Sequence, residues 1–160
     1  MPVIYLLHVG DAKEDYLLEA EKEYIKRLQP FCTYNTVAIK EEKLPENEDN
    51  LIMVKKALKN EAERIRQRLP KRCFKVALCV EGKRITSEGF SAFLSEKFSC
   101  YSDIVFIIGS SHGLDEQLKN ECDFLLSVSD MTFPHRLMRP ILAEQIYRAY
   151  TILTGKKYHK

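Results

Sequence analysis

Short apolar runs separated by stretches of helical periodicity recur from one end of this chain to the other, and that alternation admits few folds. Val3–Val9, Phe74–Val80, Asp103–Ile108 and Phe124–Val128 are brief and rich in Val, Ile, Leu and Phe, the signature of strands buried in a sheet, and Thr33–Ile39, β-branched and half alternating, reads as one more strand. Helical patterns lie between them. Tyr16, Ala20, Tyr24 and Leu28 succeed one another at four-residue spacing, with Asp11 and Glu14 placed as a capping box ahead of them and Pro30 behind. Leu51, Val54, Leu58, Ala62, Ile65 and Leu69 mark a second helix that Pro70 ends. Thr86 or Ser87 opens a third, reaching about Ser99, and Asp115 caps a short fourth. The last helix begins after Pro134 and runs to about Leu153, with Gly155 as its C-cap. Glu81-Gly82-Lys83 reads as a turn out of the third strand, and the acidic stretch around Pro45 as a loop. Strands alternating with helices predict an α/β fold, a doubly wound parallel sheet in one domain over residues 1–160.

Several classes are excluded. The longest apolar stretch, Ile104–Ile108, is far short of the roughly 20 residues of a membrane span. Met1-Pro2-Val3-Ile4-Tyr5 has neither a basic n-region nor a cleavage site, so the cytoplasm is the expected compartment. Cys32, Cys73, Cys79, Cys100 and Cys122 are odd in number and never spaced C-x-x-C. They read as reduced thiols, with no disulfide framework and no metal site. Charge is unevenly spread. From His135 to Lys160, Arg136, Arg139, Arg148, Lys156, Lys157 and Lys160 face Glu144 alone, whereas Glu41–Asn50 is strongly acidic. The basic end suits a polyanion.

In parallel sheets ligands bind beyond the carboxyl ends of the strands, which singles out Gly82-Lys83, Gly109–Leu114 and Ser129–Pro134. The middle loop lacks the Gly-Lys-Ser/Thr ending of a P-loop. Gly109-Ser110-Ser111-His112-Gly113 does match G-x-S-x-G, the nucleophile elbow of serine hydrolases. Ser111 would then be the nucleophile, with Asp123 or Asp130 and then His135 or His159 later in the chain. No glycine-rich loop upstream supplies a second oxyanion donor.

The same loop has a second reading when joined to the C-terminal segments. Met131-Thr132-Phe133-Pro134-His135-Arg136-Leu137-Met138-Arg139 leads into Glu144-Gln145-Ile146-Tyr147-Arg148-Ala149-Tyr150, and the chain finishes Tyr158-His159-Lys160. With Val9-Gly10, Pro45-Glu46-Asn47 and Ser87-Glu88-Gly89, this series resembles the RlmH family of SPOUT-class methyltransferases, which methylate N3 of a pseudouridine in 23S ribosomal RNA. The resemblance implies a C-terminal trefoil knot, with the cofactor knot and an RNA-facing tail in about 103–160. It also implies S-adenosylmethionine as cofactor, held by Leu78, Gly109, Val128, Ser129, Asp130, Met131, Thr132 and Phe133. His135, Arg148, Tyr158 and His159 fall at catalytic positions, with His159 in proton transfer or base orientation, and Arg139, Arg148 and Lys160 at the RNA. The implied assembly is a homodimer acting on the ribosome, the tail of one subunit completing the site of the other. Ile141, Leu142, Ile146 and Tyr150 are the apolar surface expected to pair the subunits. Ser110 stands where a second glycine is common and Pro140 where a β-branched residue is usual. Those two departures suit the alternative of an RNA-binding member that has lost catalysis.

Overall fold

The computed structural model describes residues 1–44 and 50–160; the expected loop at Pro45 lies outside them. The strands are β1 (Val3–Val9), β2 (Thr33–Ile39), β3 (Phe74–Arg84), β4 (Asp103–Ile108) and β5 (Phe124–Ser127). The helices are α1 (Asp15–Leu28), α2 (Leu51–Arg68), α3 (Ser87–Phe98), α4 (Glu116–Glu121) and α5 (His135–Leu153). All five strands run parallel in the order β2-β1-β4-β3-β5. One face packs Ile4, Leu6, Val76, Ile104 and Phe106 under α1, α3 and α5, around Leu28, Leu94, Leu142 and Ile146. The other packs Leu7, Val9, Ala77, Val105 and Ile107 under α2 and α4, against Ala62, Ile65 and Leu118. Burial on both faces is why β1 and β4 read as continuous apolar runs rather than alternating ones. It is the predicted doubly wound α/β sheet.

Three local expectations are corrected. Asp11 and Glu14 form no capping box: α1 begins at Asp15, and Glu14 at the cap makes no side-chain cap bond. Its carboxylate instead accepts from the Lys13 N–H and from Arg136 of α5 at 3.1 Å. Second, Glu81-Gly82-Lys83 does not leave the sheet. Leu78 and Lys83 both register with Leu126, so Cys79–Gly82 form a bulge and β3 then resumes beside β5. A Cβ on Gly82 would stand 2.7 Å from the Leu125 and Leu126 carbonyl carbons, which is why glycine sits where the strand returns. Third, the apolar residues of α5 are not spare surface. Leu142, Ile146 and Tyr150 are buried within the single chain and offer no face for pairing subunits, whereas Ile141 is half-buried and lines a shallow groove with Leu17 and Leu137.

Pro140 sits inside α5, not at its first turn. Without an N–H it leaves the Arg136 carbonyl unpaired in the helix, yet the helix continues because its middle is locked to α1. Arg139 Nε and Nη2 donate to the two carboxylate oxygens of Glu21, both at 2.8 Å, with the side chains 9% and 5% exposed. Removing one member of a buried pair strands the other charge. Glu21→Ala is therefore expected to lower stability by about 3–5 kcal/mol in urea unfolding. The paired change Glu21→Leu/Arg139→Met should recover most of the loss, and equal losses in both variants would contradict the account.

Candidate functional site

A cavity of about 1340 Å³ opens at the carboxyl ends of β3, β4 and β5. The parallel sheet makes this inevitable in kind, because all five strands end on the same side and their connecting loops meet there. Leu78, where β3 begins its bulge, forms one wall. Gly109, directly after β4, forms the floor. Val128, Ser129, Met131, Thr132 and Phe133, in the loop from β5 to α5, form the opposite rim. That rim is held in shape locally: the Ser127 hydroxyl donates to the Ser129 carbonyl at 2.9 Å, and the Ser129 hydroxyl accepts from the Met131 N–H at 3.0 Å.

Asp130 departs from the group. It points away to Arg84 at 2.6 Å, with 72% of its side chain exposed. Gly109 is needed, but for a reason that residue spacing does not reveal. A Cβ there would collide with the Gly113 carbonyl of its own loop, so glycine permits the loop to fold back rather than making room for a ligand. The close return is completed by the Gly113 N–H donating to the Ser110 carbonyl at 2.9 Å, with Gly113 at φ +88°.

Ser110 is buried, and its hydroxyl donates to Glu61 Oε1 at 3.2 Å. The other Glu61 oxygen accepts the Glu42 N–H at 2.9 Å. Burial pushes the Glu61 carboxyl above its ordinary range. The serine that departs from the family pattern thus ties the cavity floor to α2. Ser111 is exposed, and no hydrogen bond links it to an imidazole among the described residues, so the structure assembles no hydrolase triad around it.

His135, the first residue of α5, lines the cavity. Its Nε2 is buried without a partner. Burial, and after it the Arg136 charge, holds its pKa below the usual histidine value. The lowered pKa favours the uncharged imidazole in the cavity wall.

The remaining predicted residues lie elsewhere. Arg148, thirteen positions along α5, is roughly 20 Å from His135 at the helical rise, and it packs with the tail. Its guanidinium donates to Glu144 at 2.5 Å and 3.0 Å, and the Tyr158 hydroxyl donates to the same carboxylate oxygen at 3.1 Å. The guanidinium also stacks over the Tyr158 ring, 4.8 Å from its centroid. Arg148 Nη1 meets His159 Nδ1 at 3.1 Å, and His159 Nε2 meets Glu88 of α3 at 2.6 Å. Arginine can only donate, so Nδ1 must accept, which places the imidazole proton on Nε2 facing Glu88. The terminal Lys160 is exposed. Arg139 belongs to neither group. Buried on Glu21, it has no face for RNA, which corrects the role expected of it.

Two contributors lie outside the residues that the sequence singles out, although each leaves a trace there. Glu144 precedes Arg148 by four residues, the spacing of a helical ion pair. Glu61 interrupts the apolar face of α2, between Leu58 and Ile65, where a carboxylate is misplaced unless partnered. Among the described residues no group of three or more His, Cys, Asp or Glu could hold a metal, and no helix is long and apolar enough to cross a membrane.

Comparison with known proteins bears on both clusters. The family described as "Predicted SPOUT methyltransferase" matches residues 3–159. Similar curated proteins include the ribosomal RNA large subunit methyltransferase H of Streptococcus equi subsp. zooepidemicus, 45% identical over 98% of this chain and 99% of that protein. The protein of that name from Halothermothrix orenii is 39% identical over the same shares. A putative one from Methanococcus maripaludis is 43% identical, again over 98% and 99%. Among solved structures, a probable methylase family protein from Haemophilus influenzae Rd KW20 shares the fold with a TM-score of 0.54. It is 13% identical over 99% of this chain and 70% of that one.

The buried Glu61 generates a pH test. Because folding raises its pKa, its contribution to stability is complete below about pH 4.3, the ordinary glutamate value, and is lost as pH rises through the folded value. Glu61→Gln keeps the uncharged shape at every pH. The variant should match the wild type in melting temperature near pH 4 and gain on it steadily toward pH 7. A difference that stays constant across that range would contradict the assignment.

Proposed function

The chain belongs to the SPOUT methyltransferase family, and from that premise we propose that it methylates N3 of a pseudouridine in 23S ribosomal RNA. The donor is S-adenosylmethionine, the substrate is RNA in the assembled ribosome, and the working form is a cytoplasmic homodimer. One observation carries the reading. The residues expected around the cofactor, Asp130 excepted, converge on one cavity, while Arg148, Tyr158 and His159 converge on a second cluster too far along α5 to reach it. Two half-sites in one chain become a whole site when a second copy supplies the missing half. The trefoil knot belongs to the same reading.

The cavity suits the cofactor on its own chemistry. Leu78, Met131 and Phe133 offer apolar surface, and the loop backbone offers polar groups for an adenine edge. The neutral His135 avoids setting a positive charge beside a sulfonium. Bound there, S-adenosylmethionine supplies the methyl group. The chain's own work is at the nucleobase. N3 of a pseudouridine carries a proton that must leave, and the negative charge left on the ring must be stabilised. Arg148, already a charged fork, can hold a carbonyl oxygen or phosphate of the target. Its move toward RNA would release His159 Nδ1, leaving that nitrogen free to accept the proton while Glu88 steadies the Nε2–H. Ser110 and Pro140, the two departures from the family pattern, are both absorbed by the structure, through Glu61 and through the locked middle of α5. They no longer favour an inactive member.

Incubation with radiolabelled S-adenosylmethionine and unmodified ribosomes should place label at a pseudouridine in 23S RNA; label on no RNA would contradict the proposal. His159→Ala should lower turnover by about 10²–10⁴-fold with little change in cofactor affinity by calorimetry. Because Arg148 and His159 touch within one chain, mixing their variants should not restore activity. Mixing His159→Ala with a cavity variant, Thr132→Trp, which adds bulk at an exposed position of the rim, should restore about one quarter, since half the dimers are mixed and each has one intact site. No recovery in the second mixture would return both half-sites to one chain.

A further inference from the structure

At about 1340 Å³, the cavity exceeds the roughly 300–1,000 Å³ typical of a small-ligand site. The surplus lies along α2. Leu51, Val54, Lys55, Lys56, Leu58 and Lys59 line the cavity; all but Lys56 share one face of that helix by their spacing (i, i+3, i+4, i+7, i+8), and Lys56 lies beside it. This wall faces the loops expected to hold the cofactor and contains none of those residues.

Its charge is one-sided. Residues 51–60 of α2 contain Lys55, Lys56 and Lys59 and no carboxylate, and the first turn has no acidic residue. Cations in the first half of a helix gain nothing from its dipole. All three lysines are exposed, and none pairs with a carboxylate among the described residues. The acidic groups further along α2 are engaged: Glu61 with Ser110, Glu63 with Arg66. By contrast, much of the basic C-terminal end is consumed internally, Arg136 by Glu14, Arg139 by Glu21 and Arg148 by Glu144. Across the cavity Lys119 is tied to Glu81 and Glu116. Among the described residues, the cavity-lining lysines without a carboxylate partner are therefore those of α2.

We propose that this α2 wall is the docking subsite for the backbone of the RNA strand beside the target nucleotide, with Lys55 and Lys59 contacting its phosphates. Leu51, Val54 and Leu58 form an apolar strip alongside them against which a ribose can lie. The wall has no aromatic residue on which a base could stack, so it positions the strand without reading its sequence. The proposal rests on the reading of the cavity as a methyl-donor and RNA site, and it names where the strand enters.

The test compares the dimer carrying Lys55→Gln/Lys59→Gln with the wild type and with Lys71→Glu. The last makes the same total charge change in the connection between α2 and β3, at the opposite end of the strands. Three quantities are measured: calorimetric affinity for S-adenosylmethionine, KM for unmodified ribosomes, and the dependence of that KM on salt. The double variant should raise KM by roughly tenfold and flatten the log–log salt slope by about 1.4–1.8, 0.7–0.9 for each of two phosphate contacts. Its cofactor affinity and its turnover at saturating ribosomes should match the wild type, and Lys71→Glu should change nothing. An unchanged KM in the double variant overturns the inference while wild-type methyl transfer still stands. Weakened cofactor binding in its place also overturns it, by assigning the lysines to the cofactor's carboxylate. Failure of the wild type to methylate ribosomes removes the reading beneath it.

Discussion

Covering a five-stranded parallel sheet on both faces leaves nowhere on those faces for chemistry. β1 and β4 lie inside the sheet with nearly every residue buried, and the helices above and below are occupied in burying them. Polar function is displaced to the one edge where backbone ends without a strand to continue it. All strands finish there together, so the loops after β3, β4 and β5 meet. The bulge at Cys79–Gly82 and the tight return of Gly113 on Gly109 open a cavity between them. Function in this chain is a consequence of where the sheet stops.

Helix α5 then carries the chain away from that edge. His135 at its start faces the cavity; Arg148 near its end faces the tail. A rigid rod separates them, and the rod is held by the buried Arg139–Glu21 pair and by Leu142 and Ile146 in the core. An interior proline is tolerated because tertiary packing fixes the helix on either side of it. Rigidity of this kind is what keeps the two clusters of one chain apart. Electrostatics divides the same way. Most arginines of the basic end serve internal pairs, whereas the lysines of α2 remain solvated, ready for a ligand that can be held without precise geometry.

Much of this architecture is legible in the amino-acid order. Thr33–Ile39 and Asp103–Ile108 coincide with the observed strands to the residue, the first because its β-branched residues alternate, the second because a short apolar run bounded by turn formers has few other readings. Thr86 and Asp115 cap α3 and α4 as their side chains suggest. Sequence and structure part where a residue's partner lies far away along the chain. Glu14 has the spacing of a cap but pairs with Arg136; Arg139 sits in a basic segment but pairs with Glu21. Asp130 sits in the loop whose neighbours line the cavity but turns to Arg84. Local spacing carries no information about such pairings. Gly109 is a site residue for a reason that only the backbone of Gly113 reveals. The apolar residues of α5 look like spare surface because the sequence does not say how much of a helix one sheet face can cover.

The central claim is that one chain supplies the cofactor cavity and a second supplies the tail. A crystal structure of the protein with bound S-adenosylhomocysteine measures it directly. The account predicts a dimer with the ligand against Leu78, Gly109 and Phe133, and its sulfur closer to the second copy's His159 than to the His159 of the chain that binds it. A ligand seated elsewhere, or a sulfur nearer to the same chain's own His159, would contradict it.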